Sequence, residues 1–180
     1  MNLIENITDV FNRASQSEVE DGLFWYPTAQ QIASEIAAGD IERGAGVIAA
    51  LSPMMPWDRN VMLARQAFET GIASGGLGAN VRKAQAILDG AAPLDILGGD
   101  KVRTFYGNIV NPWGAGVTID RHAYDIAVGI KHGDKRPGIG KGVYREFAAA
   151  YVEAAKSIGI FPLELQAITW TVWRREHGIG

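Results

Sequence analysis

Two short stretches of the sequence decide the fold: Leu94-Asp95-Ile96-Leu97-Gly98-Gly99-Asp100-Lys101-Val102 and Val117-Thr118-Ile119-Asp120-Arg121-His122-Ala123. The first predicts a single helical turn, a tight turn at the glycine pair and a helix that begins at about Lys101. In the second, β-branched residues predict an extended segment that leads into Asp120 and a further helix. Aspartate is a residue type that often caps a helix N-terminus. The two stretches therefore predict helix, glycine turn, helix, extended segment and helix in that order.

Helical periodicity continues on both sides of these stretches. Ile4, Ile7 and Phe11 share one face near the start, and apolar residues recur at spacings of three and four along most of the chain. The segment Pro27-Thr28-x-x-Gln31 matches a capping box and predicts that a helix opens there. Strand patterns are few and short. The sequence therefore predicts an all-α helical bundle, with residues 1–180 forming a single domain.

The composition excludes several kinds of site. The 180 residues are 47% hydrophobic and 21% charged, which is ordinary for a globular domain. There is no cysteine, so disulfides, thiolate zinc sites and cysteine-ligated iron–sulfur clusters are excluded. The three histidines are scattered without metal-ligand spacing, so we expect no metal and no cofactor. Because neither a secretory signal nor a membrane-spanning run is visible, we expect a cytoplasmic protein without a membrane partner.

Charge is distributed unevenly along the chain. The formal net charge is −3, which by itself disfavours a nucleic-acid partner because phosphate binding depends on Lys and Arg. Between Lys131 and Arg145, however, five Lys or Arg residues and His132 accompany a single acid, Asp134. This segment is interpreted either as a local basic surface on an acidic protein or as a solvated loop.

The two quoted stretches resemble the signature of the helix-hairpin-helix DNA glycosylases, a superfamily that includes endonuclease III and 8-oxoguanine glycosylase. In that superfamily a glycine hairpin presents a lysine at the start of a helix, and a β-branched stretch later leads to Asp-x-His. Here Asp120 follows Lys101 by 19 residues, the spacing expected of the pair, and Asp120-Arg121-His122 matches Asp-x-His. The resemblance is best over residues 46–129, where the order of the flanking helices also agrees.

This resemblance implies a helix-hairpin-helix glycosylase-like bundle that acts on DNA. Lys101 would be the nucleophile and Asp120 the carboxylate at the N-glycosidic bond of a flipped, modified base. The implied contacts to DNA are made by the glycines of the hairpin and by nearby cationic side chains: Gly98, Gly99, Arg103, Arg121, His122, Lys131, Lys135, Arg136 and Lys141. A further group of apolar and aromatic residues would form the base pocket or the wedge that replaces the base: Met54, Met55, Trp57, Tyr106 and Trp113.

The hairpin departs from the family pattern, and other functions stay open. The family usually has Gly-x-Gly where this chain has Gly98-Gly99, and Asp100 in the turn is interpreted as an N-cap of the following helix. One alternative is an enzyme of the kind that phages use to hypermodify DNA bases, which would exchange a substituent on the flipped base in a phage-infected cell. The other is a helical DNA-binding or interaction module without catalysis, in which Lys101 and Asp120 form a structural salt bridge.

Overall fold

A computed structural model describes residues 2–179 of the chain, apart from the side chain of Asp134. The prediction of an all-α class is confirmed, because these residues contain α-helices and no β-strand. The α-helices are, in chain order, α1 Leu3–Phe11, α2 Gln16–Ile36, α3 Ile41–Leu51, α4 Trp57–Thr70, α5 Gly78–Leu88, α6 Pro93–Ile96, α7 Asp100–Val110, α8 Arg121–Val128, α9 Lys141–Ile158 and α10 Pro162–His177. A short 3₁₀ helix, Gly133–Lys135, lies between α8 and α9.

The chain divides into two compact units. Pro27–Pro112 forms one, called here the central unit, and the residues on either side of it form the other, called the terminal unit. Helix α2 contributes its residues up to Tyr26 to the terminal unit and the rest to the central unit. That residues 1–180 behave as a single domain stays a prediction.

Helix α3 forms the centre of the central unit. All of its residues from Gly44 to Leu51 are buried, and it packs against α4, α5, α6 and α7. A Cβ atom at Gly44 would lie only 2.1 Å from the carbonyl oxygen of Ala33 on α2. Glycine at this position therefore lets the backbones of α2 and α3 approach closely, which a side chain would prevent.

The core of the terminal unit surrounds Tyr151, which is fully buried on α9. Helix α1 packs against α8, α9 and α10, with Ile7 and Val10 buried in the same core. The predicted apolar face of α1 is confirmed at its centre by Ile7. The side chain of Asn6 donates to the carbonyl of Ala127 at 2.8 Å, which satisfies an acceptor in the last turn of α8.

The predicted start of the second helix is wrong. Helix α2 begins at Gln16, and Pro27 lies inside it. The actual capping box is formed by Ser15 and Glu18: the Ser15 amide donates to Glu18 Oε2 at 2.8 Å, and the Glu18 amide donates to Ser15 Oγ at 3.3 Å. Because this pair satisfies the first amides, the helix starts eleven residues before Pro27.

Candidate functional site

Lys101 lies in the central unit, in the first turn of α7 and directly after the turn that joins α6 to α7. Helix α6 ends at Ile96, and buried Leu97 anchors the turn in the core. Gly99 has a φ of 80° and precedes α7 as its N-cap, which is a conformation that residues with a Cβ rarely adopt. Lys101 is exposed in the first turn of α7. The predicted order of helix, glycine turn and lysine-bearing helix is therefore present.

Asp100 does not cap α7. It is the first residue of the helix, and Gly99 provides no side-chain hydrogen bond as N-cap. The interpretation of Asp100 as the N-cap is therefore wrong, because the positive φ that the turn requires falls at Gly99 and moves the helix start to Asp100. As an acid in the first turn, Asp100 is instead favoured by the helix dipole.

Two further cations lie beside this turn. A Cβ atom at Gly98 would lie 3.9 Å from the Lys83 amine of α5. The Arg103 guanidinium donates from Nη2 to the carbonyl oxygen of Leu94 at 2.9 Å, and so ties α7 to α6. Gly98 and Gly99 are both exposed. The turn therefore presents open backbone with positive charge close to it.

Asp120 lies in the terminal unit and caps α8. Its Oδ1 accepts hydrogen bonds from the amides of His122 and Ala123 at 2.9 and 2.8 Å. Among the described residues these two amides are the donors that the carboxylate binds, so Oδ2 remains available. The cap fixes the direction of the carboxylate, and the positive end of the helix dipole favours its negative charge.

A tyrosine hydroxyl binds the backbone of the segment before Asp120 at two points. The Tyr144 hydroxyl of α9 accepts from the amide of Ile119 at 3.3 Å and donates to the carbonyl of Val117 at 2.9 Å. Residues 117–119 are buried and belong to no helix or strand, and the Asp120 amide donates to the carbonyl of Thr118 at 3.1 Å. Tyr144 therefore satisfies two buried backbone groups and fixes the segment that positions Asp120. The sequence gives no signal for this residue, because only the fold brings Tyr144 next to Val117.

His122 is buried in the first turn of α8. Burial lowers its pKa below 6.5, so the imidazole is neutral near pH 7. Its Nε2 accepts a hydrogen bond from Arg121 Nε at 3.2 Å, which leaves the proton on Nδ1. Nδ1 is buried and has no partner among the described residues. The ring also makes an edge-to-face contact with Trp170, at 6.4 Å between centroids.

A buried carboxylate organises the predicted basic loop. The side chain of Asp125 is 2% exposed and binds the Arg136 guanidinium through both oxygens, with Nε at 2.8 Å from Oδ1. His132 contributes its backbone amide to Oδ2 at 3.3 Å and its Nδ1 to Oδ1 at 3.1 Å. Burial would raise the pKa of Asp125, but the hydrogen bonds from Arg136 and His132 outweigh it and hold the pKa below its usual value.

The remaining residues predicted to bind DNA occupy different places. The Lys131 amine donates to the carbonyl of His177 at 3.2 Å. Lys135 and Lys141 are exposed, as is Arg121. Arg136 already makes an internal ion pair, which the sequence did not predict. The sequence feature that could have indicated this ion pair is Asp125, a lone acid in the apolar run from Ala123 to Val128. A buried acid requires a partner.

The residues predicted to form a base pocket or a wedge lie in both units. Met54 is 85% exposed and has a φ of 62°, so the loop between α3 and α4 displays an apolar side chain on a strained backbone. Trp57 packs edge to face on Phe105, at 6.5 Å between centroids, and Met55 is half-buried. Tyr106 is buried, which raises its pKa. These residues belong to the central unit, whereas Trp113, 60% exposed, belongs to the terminal unit.

Comparison with known protein families shows the family of this chain. The model of a family described as a family of unknown function, DUF7178, matches residues 1–177. The chain belongs to the DUF7178 family. No curated protein and no solved structure matches this DUF7178 member.

Within residues 2–179, none of the helices combines the length and the apolar character that crossing a bilayer requires. The same part of the chain contains no group of three or more His, Asp or Glu side chains arranged to hold a metal ion.

Proposed function

We propose that this chain is a DNA glycosylase-like enzyme of the helix-hairpin-helix type, which acts at the N-glycosidic bond of a flipped, modified base. Lys101 is the nucleophile and Asp120 the carboxylate. The observation that supports this proposal is the form of the two helix starts. Lys101 follows an open glycine turn, and Asp120 is a helix cap with one carboxylate oxygen to spare.

The chemistry uses both groups on one deoxyribose. The Lys101 amine, once deprotonated, attacks C1′; the C1′–N bond of the base breaks, and the base leaves with that electron pair and takes up a proton. The nitrogen then loses a proton, and its lone pair forms a C1′=N bond as the C1′–O4′ bond breaks and O4′ takes up a proton, which gives a Schiff base between Lys101 and C1′. Positive charge builds on the sugar during base departure, and the Asp120 carboxylate stabilises it.

The hydrogen bonds that fix the Asp120 carboxylate suit this role. Its Oδ1 is occupied by two amides, and residues 117–119 are fixed by Tyr144. A carboxylate held in this way stabilises charge in the transition state without reorganising during the reaction. The turn at Gly98 and Gly99, with Lys83 beside it, would bind a backbone phosphate of the DNA.

Exposed Met54 is the best candidate for the wedge. A base that leaves the duplex must be replaced by an apolar group, and the enzyme must provide an aromatic pocket for it. Met54 projects from a loop with a positive φ, and Trp57 follows three residues later at the start of α4. Tyr106, on α7 with Lys101, is a candidate for the pocket wall.

Product analysis tests the proposal. The protein is incubated with duplex DNA that carries single uracil, 8-oxoguanine, thymine glycol or 5-hydroxymethyluracil bases, and the released bases and remaining nucleosides are identified by mass spectrometry. Free base and an abasic site from one of these substrates support base excision. An altered base in an intact strand would contradict excision and favour the base-modifying alternative, and unchanged DNA in every case would favour a non-catalytic module.

Borohydride trapping tests the role of Lys101 separately. A Schiff base is reduced to a stable covalent adduct, which is detected as a shifted band of protein and labelled DNA. We expect the wild type and the matched control Lys156→Ala, an exposed lysine near the end of α9, to form the adduct, and Lys101→Ala to form none. Base release without trapping would overturn the assignment of Lys101 as nucleophile.

A further inference from the structure

The basic segment, defined as residues 131–145, is tied to the rest of the terminal unit by several hydrogen bonds. Its basic composition alone does not predict these contacts. Its anchor is the buried Asp125 of α8, which binds Arg136 and His132. The Lys131 amine is bound to the carbonyl of His177. Two of its five Lys and Arg side chains are thus used within the terminal unit, and they fix the conformation of the segment before any partner binds.

The other three cations have no internal role. Lys135, Lys141 and Arg145 are all exposed. Within the described part of the chain, none of the three has a hydrogen bond or an ion pair. Lys135, Lys141 and Arg145 thus add three exposed cationic side chains to the surface of one internally tethered segment, on a chain whose formal net charge is −3. Such a surface attracts phosphate groups despite the acidic total.

The backbone between these cations is also accessible. Gly138, Gly140 and Gly142 have no atom within 4 Å of the position that a Cβ would occupy. Helix α9 follows with Gly140 as its N-cap and no side-chain hydrogen bond to its first amides. An elongated polyanion can therefore approach both the side chains and the main chain.

We propose that the basic segment is a preformed surface for the phosphate backbone of duplex DNA. Lys135, Lys141 and Arg145 contact phosphates, and Arg136 is the anchor that holds them in place. This inference rests on the proposed function, in that it assumes a DNA partner, but it concerns binding and not the reaction at Lys101. The surface supplies affinity without base sequence, because phosphates are the same at every position.

The salt dependence of binding to unmodified duplex DNA tests this surface. The dissociation constant is measured by fluorescence anisotropy with a fluorescein-labelled duplex at several salt concentrations. Each phosphate contact contributes about 0.9 to the slope of log K against log salt concentration. The triple variant Lys135→Ala, Lys141→Ala, Arg145→Ala is expected to lose a slope of about 2 to 3. Lys156→Ala, at the other end of α9, is the matched control and should keep the wild-type slope.

An unchanged slope in the triple variant, with a native circular dichroism spectrum, would overturn the proposal. Loss of binding to phosphatidylserine vesicles without any change in DNA binding would also overturn it, in favour of a membrane partner. Because the duplex carries no modified base, this result is independent of catalysis. Failure to release any base would refute the proposed function and leave the binding surface intact, and the reverse also holds.

Arg136 separates the anchor from the contacts. In Arg136→Gln the segment loses its tie to Asp125, so we expect weaker DNA binding with a slope like that of the wild type. Arg136→Lys retains a positive charge toward Asp125 and should restore part of the affinity. A slope reduced by about 0.9 in Arg136→Gln would mean that Arg136 itself contacts a phosphate, and would overturn its assignment as the anchor.

Discussion

The start of α7 and the start of α8 solve the same structural problem in opposite ways. At α7, Gly99 gives a positive φ, no side chain caps the first amides, and the glycine turn is exposed. At α8, Asp120 caps the amides, the preceding segment is buried, and Tyr144 binds its backbone. The first arrangement leaves main-chain donors open to a ligand, whereas the second fixes one carboxylate. The start of α7 depends on the backbone conformation of a glycine, whereas the start of α8 depends on side-chain hydrogen bonds. Substitutions at the two starts should therefore change stability in different ways.

The largest effect on stability is expected at Asp125, which lies in α8, the helix that Asp120 caps. Asp125→Ala leaves the guanidinium of Arg136 without its partner in a largely buried position. Removing one member of a buried pair typically costs about 3–5 kcal/mol in the free energy of unfolding. Chemical denaturation measures this cost. The control Glu176→Ala breaks the more exposed pair with Arg13 and should cost less than about 1 kcal/mol. Equal costs for the two variants would contradict the role given to Asp125.

Removing the hydroxyl of Tyr144 should have the next largest effect. Tyr144→Phe leaves the amide of Ile119 and the carbonyl of Val117 without this partner, at a cost of about 1–3 kcal/mol in unfolding free energy. Base release should fall as well, since the segment before Asp120 loosens. Tyr124→Phe, a buried tyrosine of α8 that stacks on Phe147, is the control. If both variants unfold like the wild type, Tyr144 does not hold the segment.

At the start of α7, a substitution of Gly99 should change stability through the backbone conformation alone. No atom lies within 4 Å of a Cβ placed at Gly99, so Gly99→Ala meets no steric clash, but its φ of 80° is unfavourable for alanine. We expect a loss of about 1–3 kcal/mol in thermal or chemical unfolding. Gly107→Ala, inside the same helix and equally free of clashes, should instead stabilise by about 0.5–1 kcal/mol. Stabilisation by both alanines would show that the turn tolerates other conformations.

The smallest expected effect is a pH dependence of the unfolding free energy caused by His122 in the first turn of α8. Burial lowers the pKa of His122 in the folded protein, so the unfolded state takes up a proton first as the pH falls. The free energy of unfolding should therefore decrease as the pH drops below about 6.5. His122→Leu should remove this part of the pH dependence between about pH 7 and pH 5. A variant with the same pH profile as the wild type would mean that His122 does not titrate differently on folding.

The sequence predicted the two helix starts better than their surroundings. Local signals, such as the glycine pair before Lys101 and the Asp120 that precedes α8, specify local structure and were sufficient for the glycine turn and the start of α8. The segment Pro27-Thr28-x-x-Gln31 matches a capping box and wrongly predicts a helix start there, while the effective capping pair is Ser15 and Glu18.

Long-range partners could not be predicted from local patterns. Tyr144 binds Val117 from 27 residues away, and Arg136 binds Asp125 across a loop of glycines and charges. The basic composition of residues 131–145 is compatible both with a solvated loop and with a binding surface. Only the fold shows that Arg136 is an internal partner and that Lys135, Lys141 and Arg145 are exposed. Candidate site residues are therefore visible in the sequence, but their division into structural and binding roles is not.

Asp120→Asn provides the most direct test, because asparagine caps a helix about as well as aspartate and differs mainly in charge. Stability and base release are measured on the same variant, with a substrate that the wild type cleaves. We expect unfolding within about 0.5 kcal/mol of the wild type and base release slower by at least about 100-fold. Unchanged base release would contradict the account and leave Asp120 with the role of a helix cap alone.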